Sequence, residues 1–377
     1  METIETLKNN FCEIYNQFPE VTASTSGRVE FLGNHIDYNG GIVLGVAIDK
    51  HIAVALSKRS DMQMCFTHPN TKEKVYVDLD NIFKLNPKYN WVNYCIGVVK
   101  FIQKAGYKIP CGFDYLDISD LPTGAGLSSS AAIELSMCKA LKELFNLDMD
   151  TLKMVKISKQ AENEFMGMPC GILDQGVCGF GENNDVVTID CLKESFSSKT
   201  LPSGWKLWVF NTCVKHSLVA GDYARLRDNS MNASKILSGS GEVKLLRHFS
   251  LDDLNQSKEL LSQGEYDCAK HSIDELQRVI KAKNCIEEEN AVELGKLLSQ
   301  SHASSRDLLR NSCIELDYFV EKLTALENVY GARLSGGGFG GSVLAMTNAN
   351  FTEKDALHLA QEYEIQFGIK PQVFRVN

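Results

Sequence analysis

Leu7, Phe11, Ile14 and Tyr15 recur at helical spacing and predict an opening helix from Ile4 to about Phe18. The pattern then changes. 'GGIVLGVAIDKHIAVALSK' carries two apolar runs broken by Asp49, Lys50 and His51, which predicts two strands and a turn. Helical spacing returns over 91–104 and over 129–145, where Ile133, Leu135, Cys138, Leu141, Leu144 and Phe145 recur, and a further helix is predicted over about 151–167. 'FDYLDIS', 185–190 and 206–212 read as strands, residues 213 to about 330 as mostly helical, and 'GARLSGGGFGGSVLAMT' and 'PQVFRV' as strands again. This mixed order predicts an α+β fold rather than repeated βαβ units. No period of 20–50 residues recurs, which argues against solenoids and propellers. The Ser/Pro/Gly-rich stretch 193–205, 'KESFSSKTLPSGW', is the candidate boundary, dividing the chain into 1–195 and 196–377.

Composition narrows the class. The 377 residues are 44% hydrophobic and 23% charged, with only 8 prolines, as expected of a folded chain of about two domains. The net charge is −9, and 'LSKRSD' and 'VIKAKN' are short basic runs flanked by acids. A nucleic-acid binder needs a broad surface of clustered Lys and Arg, so that class is excluded. No apolar run is long enough to span a bilayer, so no membrane partner is expected. The start, 'METIETLKNNFCEIY', lacks the basic and apolar regions of a signal peptide. Twelve cysteines are scattered singly with no Cys-x-x-Cys pair, which argues against zinc and for free thiols in a reducing cytoplasm.

Three segments carry candidate chemistry. 'LPTGAGLSSSAAIE' (121–134) joins a strand to an amphipathic helix. Gly124 and Gly126 allow a tight turn, and Ser128, Ser129 and Ser130 fall where the unpaired N–H groups and dipole of a helix N-terminus favour an anion. A plain turn with a Ser cap explains one serine rather than three. No Gly-Lys-Ser/Thr follows, so this is not a Walker A loop. 'SGGGFGG' (335–341) has five glycines in seven positions, more than a hairpin corner requires. 'GRVEFLGNHIDYNGG' (27–41) concentrates Arg28, Asn34, His35, Asp37, Tyr38 and Asn39, a density of donors and acceptors suited to a polyhydroxylated ligand. Singly, each of these reads as an ordinary polar loop residue.

Together the three segments resemble the GHMP family of small-molecule kinases, and within it the galactokinases. The likeness extends to 'WVNYCIGVV' (91–99), 'AENEFMGMPCGILDQ' (161–175), 'VKHSLVAGDYARLR' (214–227) and 'SCIELD' (312–317), nearly the whole chain in order. The resemblance implies a two-domain fold, with an N-terminal domain like ribosomal protein S5, a C-terminal α+β domain and the active site between them. It also implies transfer of the γ-phosphoryl group of ATP to the anomeric hydroxyl of galactose. Asp174 matches the catalytic aspartate and Arg28 the arginine paired with it; positioning and charge stabilisation are most of phosphoryl-transfer catalysis. Ser130 and Glu162 match the Mg²⁺ ligands, hard oxygens that leave room for water and phosphates. Gly124, Ala125, Gly126, Leu127, Ser128, Ser129 and Ser130 match the loop around the ATP phosphates, and Trp91 the segment beside the adenine. Asn34, His35, Asp37, Asp174, Tyr223, Gly337 and Gly338 match sugar-binding positions. A monomer, binding only sugar and ATP, is the expected assembly.

The chain departs from the galactokinase pattern at four positions. Asn34 stands where a Glu is common before His-x-Asp. Ser26 and Glu30 replace a common Pro and Asn, and Gly176 a bulky residue after Asp-Gln. Asn34 removes a negative charge from the sugar segment, so a kinase for a sugar with a C6 carboxylate, such as galacturonate, is an alternative. A non-catalytic galactose sensor is the other, disfavoured because Arg28, Ser130, Glu162 and Asp174 are all present.

Overall fold

The computed structural model describes residues 2–122, 125–168, 170–182, 184–215 and 219–376. They form two compact units that interleave along the chain: 1–28, 47–123 and 127–182 in the first, 29–46, 124–126 and 183–377 in the second. In chain order the main elements begin with α1 (Glu2–Tyr15), β1 (Val21–Leu32), β2 (Ile42–Lys58), β3 (Gln63–Thr67), β4 (Lys74–Asp78), α2 (Asn90–Lys104), β5 (Phe113–Ser119) and α3 (Ser129–Phe145). They continue with α4 (Thr151–Gln160), α5 (Leu173–Phe180), β6 (Asp185–Asp190), β7 (Ser195–Thr200), β8 (Lys206–Lys215), α6 (Val219–Ser238), α7 (Leu251–Gln256) and α8 (Gln263–Glu287). The last are α9 (Ala291–Ser304), α10 (Ile314–Thr324), β9 (Val329–Ser335), β10 (Gly340–Thr347), α11 (Glu353–Phe367) and β11 (Gln372–Arg375).

Several sequence expectations change here. The run 42–58 is one strand, not a hairpin. Its first part, Ile42–Val46, pairs with β6 and its last, Ile52–Lys58, with β5, both antiparallel. Asp49, Lys50 and His51 fall between the two pairings, and Asp49 is exposed. The triplet has no Gly or Asn to take the positive φ of a tight hairpin turn, so the chain stays extended through it. Residues 27–32 belong to β1 rather than to a loop. The helix expected over 151–167 ends at Gln160 and continues as a π-helical turn over Ala161–Met166. The serine-rich stretch 193–205 lies in the second unit and contains β7, an edge strand paired with β6 alone, where four of its six residues face solvent.

In the first unit, α1 lays Leu7 and Phe11 against Ala53 and Ala55 of β2 and Leu116 of β5. The α3 helix ends at Asn146 in the left-handed conformation, a common helix stop. In the second unit the antiparallel order is β11-β8-β10-β9. Phe210, Phe319, Leu334 and Tyr363 form its core, the Phe319 and Tyr363 rings stacked with centroids 4.4 Å apart. Capping boxes open α8 (Ser262 with Glu265) and α11 (Thr352 with Asp355), and Gly368 closes α11 at φ 67°. All twelve cysteines are free. Among the described residues no helix is long and apolar enough to cross a membrane.

The packing of α9 on β9 depends on two glycines that let the backbones meet. A Cβ on Gly331 would overlap the Gly295 carbonyl, and one on Gly295 the Tyr330 carbonyl. Backbone cannot rotate away as a side chain can. Gly331→Ala is expected to cost about 1–3 kcal/mol through overpacking, read as a lowered midpoint in thermal or urea unfolding. An unchanged midpoint would contradict this account of the contact.

Candidate active site

The sequence-predicted residues assemble into two groups, one in each unit. In the first, Asp174 sits in the opening turn of α5 and Arg28 on β1. Arg28 donates to Asp174 Oδ1 from Nε at 2.9 Å and from Nη2 at 2.6 Å. Ser128 Oγ donates to Oδ2 at 2.7 Å. Arg28 is nearly buried, while the Asp174 side chain keeps 26% of its exposure, so the carboxylate is held and still accessible. Ser128 has φ 56°, an uncommon left-handed conformation for a residue with a Cβ, and its hydroxyl makes no cap bond to α3. The helix start has no side-chain cap, because the Ser128 hydroxyl orients Asp174 instead.

Behind Asp174 lies a buried acidic network. Gln175 Nε2 donates to Glu162 Oε2 at 2.5 Å and to Glu134 Oε2 at 3.3 Å. Glu162 comes from the π-helical turn, a local widening that recurs at functional sites. Burial, and then the charge of Asp174, push its carboxyl up, while a hydrogen bond with Ser130 pulls it down. Burial, with Glu162 next, drives Glu134 well above the ordinary glutamate range. Glu134 was not singled out in the sequence, since an acid within an amphipathic helix ordinarily faces solvent. Among the described residues no three His, Cys, Asp or Glu side chains form a metal cluster. Ser130 and Glu162 together offer a hydroxyl and a carboxylate whose negative charge is poorly neutralised, a donor set that fits Mg²⁺, which keeps several other ligands. Trp91, in the first turn of α2, packs edge-on against His68 at 5.3 Å.

In the phosphate-loop segment, Leu127 O accepts from Arg28 N at 3.1 Å. Ser129 is exposed, Gly126 has φ 69°, and Gly124 lies outside the described residues. Ala125, which belongs to the second unit, accepts from Ser342 Oγ at 2.8 Å.

The second group is built on residues 33–40. His35, at φ 58°, places Nε2 3.2 Å from Gly337 O and Nδ1 2.9 Å from Tyr38 Oη. Burial lowers its pKa to about 4, so the ring is neutral near pH 7. A carbonyl can only accept, so Nε2 carries the proton and Nδ1 accepts from Tyr38. The Tyr223 ring lies 5.0 Å from His35, and Asp37 is half-buried in the turn after it. Gly337 faces Tyr223; Gly338, at φ 83°, has the Asn311 carbonyl where a Cβ would stand, so only glycine fits.

Asn34 differs from its neighbours. Its Nδ2 donates to Glu30 Oε1 (2.9 Å) and Gly336 O (2.8 Å), and its Oδ1 accepts from Asn311 Nδ2 (3.0 Å) and Ser305 Oγ (3.2 Å). It is 1% exposed. Both donors and both lone pairs are used within the protein. Glu30 also accepts from Arg333 Nη2 at 3.1 Å. Glu275, on α8, accepts from the Gly33 and Asn34 N–H groups, Ser301 Oγ and Arg278 Nε. Burial pushes its carboxyl up, but Arg278, His271 and Arg333 outweigh that and hold it at about 2. Arg333, Asn311 and Glu275 stand outside the motifs; only the fold brings Arg333 to Glu30 and Phe31, and Asn311 and Glu275 to residues 33–34.

Three family models match the chain: the GHMP kinase N-terminal domain over residues 93–182, the galactokinase galactose-binding signature over 9–58, and the GHMP kinase C-terminal domain over 282–364. A galactokinase of Clostridium beijerinckii is 33% identical across 100% of this chain and 98% of its own length. One from Actinobacillus pleuropneumoniae is 35% identical over 96% of this chain and 94% of its own. The crystal structure of Lactococcus lactis galactokinase complexed with galactose superposes with a TM-score of 0.92 at 27% identity, covering 99% of this chain and 97% of that one. Methanococcus jannaschii mevalonate kinase shares the fold at TM-score 0.64 and 19% identity, over 94% and 97% of the two chains.

The depressed Glu275 carboxyl makes stability depend on pH. It contributes fully above the ordinary glutamate value of 4.5, and the contribution is lost as pH falls toward about 2. The difference in unfolding free energy between wild type and Glu275→Gln should therefore be constant from neutral pH to about 5.5 and shrink below about 4.5. A difference independent of pH down to 3 would refute the assignment.

Proposed function

The chain belongs to the galactokinase family of GHMP kinases, and we propose that it phosphorylates the anomeric hydroxyl of galactose with ATP, giving galactose 1-phosphate and ADP. The observation that carries the reading is the Arg28–Asp174–Ser128 cluster. Two donors from Arg28 fill the lone pairs of Oδ1, and Ser128 takes one of those on Oδ2. Oδ2 retains one acceptor site, which supports a role for it in taking the C1 hydroxyl proton. The sugar oxygen then bonds to the γ-phosphorus, the bond to ADP breaks, and ADP leaves with its electron pair. Arg28 stabilises charge on the transferring group while keeping the base oriented.

Residues 127–130 at the start of α3 cradle the phosphates through backbone N–H groups, and Trp91 flanks the adenine. Ser130 and Glu162 would hold Mg²⁺, which would supply neutralisation of phosphate charge when bound. Asp37 and Tyr223 take the sugar hydroxyls and ring, with Gly337 and Gly338 letting the backbone come close and His35, its two ring nitrogens engaged by Gly337 O and Tyr38 Oη, offering its ring face beside Tyr223.

An ATP-consumption screen over galactose, galacturonate, N-acetylgalactosamine and glucose tests the substrate: galactose should give the highest kcat/KM, and preference for galacturonate would overturn the proposal. Asp174→Asn should lower kcat by roughly 100- to 10,000-fold, the usual worth of a general base, while ATP affinity changes little. Near-normal turnover in that variant would remove Asp174 from its role.

A further inference from the structure

Glu30 and Asn34 lie one hydrogen bond apart, and they are two of the positions where the chain departs from what the galactokinase resemblance implies, Asn at the first and Glu at the second. Each departure alone changes the charge of the segment; together they exchange a carboxylate and an amide across a single bond. We propose that the two positions act as one reciprocal pair, which positions residues 33–38 against the 336–338 loop rather than contacting the sugar. This rests on the galactose-kinase reading and refines which residues serve that site.

Three observations carry it. Asn34 has no spare polar valence: Glu30, Gly336, Asn311 and Ser305 use all four. The carboxylate that Asn34 lacks is retained on Glu30, where the fully buried Arg333 matches it. The segment therefore loses no charge, and Asn34 does not present a neutral wall suited to a C6 carboxylate. Finally, the bonds lead to the loop. Asn34 ties Gly336, Asn311 Nδ2 donates both to Asn34 Oδ1 and to Gly337 O, and His35 Nε2 donates to the same Gly337 carbonyl. Ser335, at the start of that loop, exchanges hydrogen bonds with the Glu30 backbone at 3.1 Å each way.

Reversing one member is unfavourable for a definite reason. Asn34→Glu faces a carboxylate toward Glu30 and the Gly336 carbonyl, where a donor now stands. Glu30→Asn strips the buried Arg333 of its charged partner. Reversing both restores a donor at 30 facing an acceptor at 34, with Ser305 and Asn311 still donating to position 34 and an amide oxygen left for Arg333.

The test is a double-mutant cycle with Glu30→Asn, Asn34→Glu and the double variant, read by thermal unfolding without substrate and by steady-state kinetics with galactose and Mg-ATP. Each single variant should lower the melting midpoint and cut kcat/KM for galactose about tenfold or more, raising KM for galactose more than KM for ATP. The double should regain most of both. If a single variant does not fold, recovery of a folded double supports the pair and an unfolded double overturns it. Additive losses, a wild-type-like Asn34→Glu, or equal shifts in the two KM values also overturn it. Wild type inactive on galactose, with a coupled melting cycle, would sink the substrate reading and leave the pairing standing.

Discussion

Removing a charge from water without a partner costs several kcal/mol, and β1 withdraws two of them within three residues. Arg28 and Glu30 are 6% and 7% exposed. Each is tolerated because an opposite charge from far along the chain meets it, Asp174 for Arg28 and Arg333 for Glu30. These pairings tie the strand to the groups needed for chemistry. Arg28 fixes the Asp174 carboxylate, and Glu30 bonds through Asn34 to the segment bearing His35.

The same economy explains Ser128. In an isolated helix its hydroxyl would cap α3; here it orients Asp174, and the backbone stays in a left-handed conformation at a cost of order 1 kcal/mol. The helix start is thereby left without a side-chain cap. The π-helical turn at 161–166 acts comparably, carrying Glu162 to a place where Gln175 and Ser130 reach it.

Much of this was legible beforehand. The α3 helix and the β6 strand fall where the sequence puts them, although α3 is buried on all sides from Ala131 to Cys138 rather than on one face. The pairing of Arg28 with Asp174 follows from the family resemblance. Local pattern misled where tertiary pairing overrode it: three polar residues cannot turn a chain whose two halves are held by β6 and β5. The short strands β3, β4 and β7 lacked a signal because they are edge or near-edge segments of only five or six residues.

The sequence by itself determined the family and the reaction class, because their chemistry demands particular side chains inside recognisable motifs. Only the tertiary structure decided what Asn34 does. Its identity in the chain suggested a neutral sugar contact, but saturation of an amide is a property of four partners at positions 30, 305, 311 and 336. Nor could the sequence show where the missing negative charge had gone. It lies on Glu30, neutralised by Arg333, an arginine more than 300 residues away that reads locally as an ordinary strand residue.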